Sequence, residues 1–354
     1  FFSMYTNKSN KLIVSWLTLN LFMIITMVFI GGITRLTDSG LSMIDWNLFK
    51  GILPPLSESE WKQTFDDYKL YPEFKLINYD IELSDFKRIF FWEYVHRIWG
   101  RLIGMTFILP LIYLFITDKL PLKTFKYLCF VLLIGCFQAF MGWYMVKSGL
   151  IDKPDVSQYR LASHLTIALI IYGLLLFLSW NLYRFGFIPN TRELTVKRTT
   201  LIQIIFCLLL VFTTIVSGAF VAGTDSGLIY NNFPYMGNTI LPPDPFILEP
   251  KWLNFFENKT LIQFDHRLLA SATGLFIMYT CLKNFKLYKN TVIKRLLVIL
   301  FFLIIFQYTI GILTLKLMVP ISIGSIHQMG SVGVLSIIII ILSEFYGQKK
   351  GAIK

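Results

Sequence analysis

The chain has 354 residues, of which 55% are hydrophobic and 15% are charged, and its formal net charge is +12 at pH 7. This composition excludes an ordinary soluble globular domain and indicates a polytopic membrane protein. The positive charge does not indicate a nucleic-acid partner, because Lys and Arg collect in short connections between apolar runs.

Eight apolar runs are long enough to cross a lipid membrane as helices. They cover 12–33, 89–116, 125–147, 160–183, 199–222, 260–282, 296–318 and 322–345. Each exceeds the roughly 20 residues that a helix needs to span the hydrocarbon layer. The first run is longer than a usual signal segment and lacks a small-residue cleavage site, so we predict that it is retained as a span.

The basic residues predict the topology of these spans. Lys and Arg lie before the first run, after the second, fourth and sixth runs, and after the eighth. Because basic connections stay in the cytoplasm, we predict that both termini are cytoplasmic. The long connection 34–88 is then an outer loop, in which we expect short interfacial helices. All four Cys lie in apolar runs, so the sequence does not predict an outer disulfide.

The two halves of the chain repeat four landmarks in the same order. Thr-Asp-Ser-Gly occurs at 37–40 and 224–227, and a similar Phe-Gln motif occurs at 137–142 and 306–311. The other two landmarks are His-Arg pairs and single His residues. We therefore predict an all-α protein whose eight transmembrane helices form two tandem four-helix bundles, 1–185 and 186–354, related by a pseudo-twofold axis along the membrane normal.

The chain has four His, and each half contributes one from its second span and one from its fourth. They are His96, His164, His266 and His327. A single such His is commonly a hydrogen-bonded polar residue between helices, but four at matched depth favour binding sites. Zinc normally needs three or four protein ligands, and di-iron bundles need several Glu. Heme iron needs only axial ligands, so two heme sites with two His each are the simplest interpretation.

Charged side chains accompany these His inside the predicted spans. Glu93, His96 and Arg97 share one helix face, and ionisable groups at this depth are functional candidates. Four Arg could neutralise heme propionates or could instead reach the outer headgroups: Arg97, Arg101, Arg160 and Arg267.

Two further residue patterns leave alternatives open. The second half has Gln263 where the first has Glu93, which suggests that chemistry is confined to the first half; the alternative is a simple Glu93–Arg97 ion pair. The Gly100-x-x-x-Gly104 spacing favours close helix packing over flat access for a macrocycle.

Several longer motifs resemble those of the heme A synthases. They lie at 31–42, 51–55, 71–75, 93–97, 142–150 and 265–267, and with His327 they span most of the chain. The resemblance implies an eight-helix enzyme that oxidises a ring methyl of heme O to the formyl group of heme A for terminal oxidases. It is similar to the proteobacterial and mitochondrial members, because the first outer loop has no Cys pair.

The resemblance also implies roles for the site residues. His266 and His327, with Arg267 nearby, would hold heme b as a permanent cofactor. His96 and His164, with Arg97, would bind the substrate heme, and Glu93 would act in catalysis. The implied partners are heme O, an electron donor, and heme O synthase or oxidase assembly factors; a homo-oligomer is left open. The expected location is the bacterial inner membrane or, alternatively, the mitochondrial inner membrane. A non-catalytic electron-transfer subunit with two b-type hemes is the alternative function.

Overall fold

The computed structural model describes residues 7–44, 52–149, 156–187, 196–288 and 291–348. Trp46 and Gly51, which belong to the predicted outer loop, lie outside these residues. Eleven α-helices occur in the described segments, without a β-strand. They are α1 (Asn7–Leu36), α2 (Glu58–Tyr68), α3 (Pro72–Leu76), α4 (Leu83–Ile116), α5 (Leu122–Gly149), α6 (Gln158–Phe185), α7 (Arg198–Gly223), α8 (Asn254–Glu257), α9 (Lys259–Asn284), α10 (Val292–Lys316) and α11 (Ile321–Gln348).

Seven helices of the described chain are long and apolar enough to cross a membrane: α1, α4, α5, α6, α7, α10 and α11. The prediction of an all-helical polytopic membrane protein is confirmed to this extent. The predicted span 260–282 corresponds to α9, whose 26 residues measure about 39 Å as a helix. This helix is not among the seven, and its apolar sequence is interrupted by Asp265, His266 and Arg267.

The long helices pack as two closed rings. In the first ring α1 contacts α4 and α6, and α5 contacts α4 and α6. In the second, α9 contacts α7 and α10, and α11 contacts α7 and α10. Contacts of α6 with α7 and α11, and of α1 with α11, join the rings. Each ring therefore encloses an interior that side chains from its own helices can line.

Polar side chains cross the boundary between the rings on α6 and α11. Glu344 is fully buried and accepts hydrogen bonds from Trp180 Nε1 at 2.8 Å and from Arg184 Nε at 2.7 Å. Tyr172 and Ser336 are joined by hydroxyl groups 2.7 Å apart. Because removing one partner of a buried charge pair leaves the other uncompensated, these bonds fix how the rings meet.

Two short helices of the outer loop cover the start of α4. Ser57 and Glu60 form a capping box at the start of α2, which satisfies backbone N–H groups that the first turn leaves open. Phe65 and Tyr68 of α2 stack on Phe86 of α4, each with ring centres 5.0 Å apart. Burial, together with the neighbouring Glu73 carboxylate, raises the pKa of Tyr68. The expectation of short helices in this loop is confirmed.

Candidate heme-binding sites

Each of the four His packs against a glycine of a neighbouring helix. The pairs are His96 with Gly31, His164 with Gly142, His266 with Gly218, and His327 with Gly311. A Cβ built on these glycines would lie 3.4, 3.2, 3.1 and 2.7 Å, respectively, from the nearest imidazole atom. A side chain at Gly311 would force His327 to shift, and one at Gly142 or Gly218 would press on its imidazole, whereas at Gly31 a methyl group would make ordinary contact.

Sequence reasoning missed the role of these glycines. Gly142 and Gly311 were noticed only as repeated landmarks, and Gly31 and Gly218 were not matched at all. A signal was present, because Gly31 and Gly218 each stand six residues before the repeated Thr-Asp-Ser-Gly motif. The signal could not be interpreted from one sequence, since the contacts are made between helices far apart in the chain.

The two His of the second ring face each other at a distance suited to one metal ion. The ring centres of His266 and His327 are 6.5 Å apart, and the ring planes are inclined by 89°. Imidazole nitrogens lie about 2 Å from a bound metal, so rings on opposite sides of one ion have centres about 6 Å apart. The structure therefore brings these two predicted residues together within reach of one metal ion.

Hydrogen bonds hold the Nδ1 side of both rings in the second half. His266 Nδ1 lies 2.8 Å from Ser217 Oγ, and His327 Nδ1 lies 3.1 Å from Gln307 Nε2. The Ser217 hydroxyl donates to the carbonyl of Thr214 at 2.8 Å, so its oxygen accepts the N–H of His266. This arrangement leaves a lone pair on His266 Nε2, which is the state that binds metal.

The His of the first half are held differently. His96 and His164 lie within electrostatic reach of each other, but His96 makes no side-chain hydrogen bond to any described residue. His164 Nε2, rather than Nδ1, lies 3.1 Å from Gln138 Nε2. Its Nδ1 is buried without a hydrogen-bond partner among the described residues. Ile30 occupies the position of Ser217, so the first half lacks that hydroxyl.

Glu93 anchors the outer turn that follows α1. Its side chain is buried, and Oε2 accepts hydrogen bonds from Ser42 Oγ and from Met43 N, both at 2.7 Å. Oε1 accepts from Arg97, whose guanidinium also donates to the Met43 carbonyl at 2.7 Å. The Glu93–Arg97 ion pair considered from the sequence is therefore present, and it holds a loop as well as a helix face.

The second half has the same anchor without the carboxylate. Arg267 donates to the carbonyl of Tyr230 at 2.7 Å, and Gln263 Nε2 donates to the same carbonyl at 3.1 Å. Tyr230 stands at the repeat position of Met43. Arg267 Nε is buried and has no hydrogen-bond partner in the described segments, so one donor remains for an anion. The use of Arg97 and Arg267 for propionates stays a prediction.

Two further predictions concern Arg160 and the glycine spacing on α4. The Arg160 guanidinium lies over the Tyr144 ring, 4.5 Å from its centre, and faces an aromatic side chain. A Cβ on Gly104, or on its counterpart Gly274, would meet no described atom within 4 Å. A Cβ on Gly100 would lie 3.4 Å from Met27 Cε of α1, so the predicted close packing is found at Gly100 and not at Gly104. Both halves have open space two turns from their first His.

Comparison with known proteins identifies relatives over nearly the whole chain. A sequence model of the COX15-CtaA family, described as cytochrome oxidase assembly protein, matches residues 14–339. The chain is 42% identical over 324 residues to Heme A synthase of Wolbachia sp. subsp. Brugia malayi, covering 92% of this chain and 94% of the relative. It is 44% identical over 321 residues to Heme A synthase of Wolbachia pipientis wMel, with 91% and 89% coverage. Heme A synthase COX15 of Bos taurus is 41% identical over 353 residues, with 97% and 84% coverage.

Proposed function

Because the chain belongs to the COX15-CtaA family of cytochrome oxidase assembly proteins, we propose that it is a heme A synthase, like the relatives named above. Such an enzyme oxidises a ring methyl of heme O to a formyl group. Two successive hydroxylations give a hydrate that loses water to form the aldehyde. Each takes two electrons from the carbon, with dioxygen as the oxidant and the electron donor supplying the two further electrons that reduce its second oxygen atom to water. The observation that carries the proposal is the presence of two His pairs. Each of the four His contacts a glycine of a neighbouring helix, and the hydrogen bonds of the imidazoles differ between the two halves.

The proposed architecture has eight spans in two tandem bundles, 1–185 and 186–354, about a pseudo-twofold axis. The two rings of helix contacts support it, with α9 as the eighth span. The equivalent loop anchors of Arg97 and Arg267 support it as well. With both termini in the cytoplasm, all four His lie near the outer face of a bacterial or mitochondrial inner membrane.

His266 and His327 are proposed to hold the permanent heme b. Their ring separation of 6.5 Å would let both imidazoles hold one iron, and Ser217 leaves a lone pair on Nε2 of His266 for it. A bound heme b would supply an iron that gives and accepts single electrons. The unpartnered Nε of Arg267 fits a propionate carboxylate. The role of the chain here is to orient both imidazoles and to neutralise the anionic edge of the macrocycle.

His96 and His164 are proposed to bind heme O, with Arg97 nearby and Glu93 as the catalytic acid or base. Fewer hydrogen bonds constrain these rings than those of the second half, which suits a molecule that must enter and leave. The carboxylate of Glu93 is engaged by Ser42 and Met43. Its proposed role in proton transfer therefore requires the turn to release one carboxylate oxygen.

The test is production of heme A in a host that makes heme O but no heme A. Hemes extracted from membranes that contain this chain are separated by chromatography and identified by mass. We expect a formylated, farnesylated heme to appear. A well-produced chain that leaves heme O unchanged, with an electron source present, would contradict the proposed activity.

A further inference from the structure

Gln138 and Gln307 occupy equivalent positions in the two halves but contact opposite nitrogens of their His. Gln138 of α5 lies four residues before Gly142, as Gln307 of α10 lies four residues before Gly311. Gln138 Nε2 is 3.1 Å from His164 Nε2, whereas Gln307 Nε2 is 3.1 Å from His327 Nδ1. The same amide therefore faces different sides of the imidazole in the two halves.

In the second half the glutamine contacts the other nitrogen of its His. Gln307 also donates to the carbonyl of His327 at 2.8 Å, so two hydrogen bonds fix its amide with the N–H groups towards the His. Because Nδ1 of His327 accepts from this amide, the neutral ring carries its proton on Nε2 and must lose it before Nε2 binds iron. Gln307 therefore does not occupy Nε2 of His327.

In the first half the glutamine occupies the corresponding ligand atom. Whichever way the amide of Gln138 is turned, its end group engages His164 Nε2, as donor or as acceptor. Within the described residues, Gln138 Oε1 is buried without a partner. Gln138 is thus held by one hydrogen bond and can be displaced without breaking others.

We propose that Gln138 competes with heme iron for His164 Nε2 and thereby keeps heme binding in the first half reversible. Binding breaks the Gln138–His164 hydrogen bond and forms the iron–Nε2 bond; release reverses both steps. Gln307 contacts Nδ1 of His327 instead and does not compete for its Nε2. Gln138 is a positioning residue that acts through His164, and the inference rests on the proposed role of His164 as a ligand of the substrate heme.

The test compares heme dissociation from matched variants of the two glutamines. Purified protein loaded with heme O is mixed with excess apomyoglobin, and heme transfer is followed by absorbance. We expect a fast phase from the first half and a slow phase from the second. Gln138→Leu should slow the fast phase by about three- to tenfold, the value of one net hydrogen bond, and leave the slow phase unchanged. Gln307→Leu is the matched control and should leave the fast phase unchanged, because Gln307 does not contact His164.

Two further variants distinguish a wrong role for Gln138 from a wrong assignment of His164 as a ligand. Gln138→Ala, which removes the amide without adding an apolar branch, must also slow the fast phase. An unchanged or faster phase in both Gln138 variants, in protein that retains its second-half heme spectrum, overturns the inference. His164→Ala tests the underlying assignment, because a fast phase unaffected by loss of this imidazole shows that His164 is not a ligand. In that case the proposed site fails, not only the role of Gln138.

Discussion

Arg35 at the end of α1 forms an ion pair with Asp225, the residue that follows Thr224 beyond α7, with Nη2 and Oδ1 2.8 Å apart. Arg35 also bonds Asp38, the repeat counterpart of Asp225, and donates to the carbonyl of Ala222 at 3.1 Å. Ala222 is itself the counterpart of Arg35. One guanidinium therefore joins equivalent turns of the two halves.

Replacement of Arg35 should loosen this junction. Arg35→Ala removes three hydrogen bonds, but both Asp side chains are more than half exposed, so we expect a cost of about 1 kcal/mol. The melting temperature in detergent should fall by about 2–4 °C. Arg88→Ala, which removes an exposed ion pair with Asp85, is the control and should leave the melting temperature unchanged. Equal melting temperatures for both variants would contradict a joining role for Arg35.

The glycine beneath His266 should be required for heme b. Gly218→Ala places a methyl group 3.1 Å from the imidazole, which must shift at a cost of about 1–3 kcal/mol. We expect purified protein with reduced heme b content and an altered Soret band. Gly135→Ala on α5 of the first half also meets no described atom within 4 Å, and it should keep the wild-type spectrum. A normal heme b spectrum in Gly218→Ala would show that this contact does not position the ligand.

Ser217 should raise the affinity of the chain for heme b without contacting iron. Ser217→Ala removes the acceptor of His266 Nδ1–H, so the ring loses its fixed tautomer and orientation. Affinity for heme b should fall by about 10–100-fold, measured by transfer to apomyoglobin. Thr213→Ala is the matched control, because Thr213 is exposed and bonds only its own helix. Identical transfer rates in the two variants would eliminate the role of Ser217.

Glu93→Gln separates catalysis from loop anchoring. The amide oxygen can still accept from Ser42 and Met43, and the second half accommodates Gln263 at this position. We expect folded protein with normal heme b and a fall in heme A formation of about a hundredfold or more. Heme O or a hydroxylated intermediate should accumulate.

A purely anchoring role for Glu93 predicts a different result. Loss of the buried charge partner of Arg97 would reduce the yield of intact protein and its heme b together. Near-normal heme A from well-folded Glu93→Gln protein would end the catalytic assignment. Chromatography of the hemes beside the protein yield distinguishes these outcomes.

Much of the scaffold could be predicted from hydropathy and repetition. The run 89–116 became α4 at Leu83–Ile116, whose earlier start lies in charged residues that hydropathy does not detect. The pairing of His266 with His327 followed from their places on the second and fourth spans of one half. The glycine contacts, Ser217 and Arg35 were not predicted, because each of these contacts joins residues of two different helices or turns. Periodicity describes the faces of one helix, and it does not describe which atoms meet between two helices.

The heme content of the purified chain tests the central claim most directly. Protein from cells that make heme O is extracted, and its hemes are identified by mass and counted per polypeptide. We predict one heme b per chain, together with a substoichiometric farnesylated heme that includes the formylated product. Two stoichiometric b-type hemes, with no farnesylated or formylated heme, would contradict the account and indicate an electron-transfer subunit.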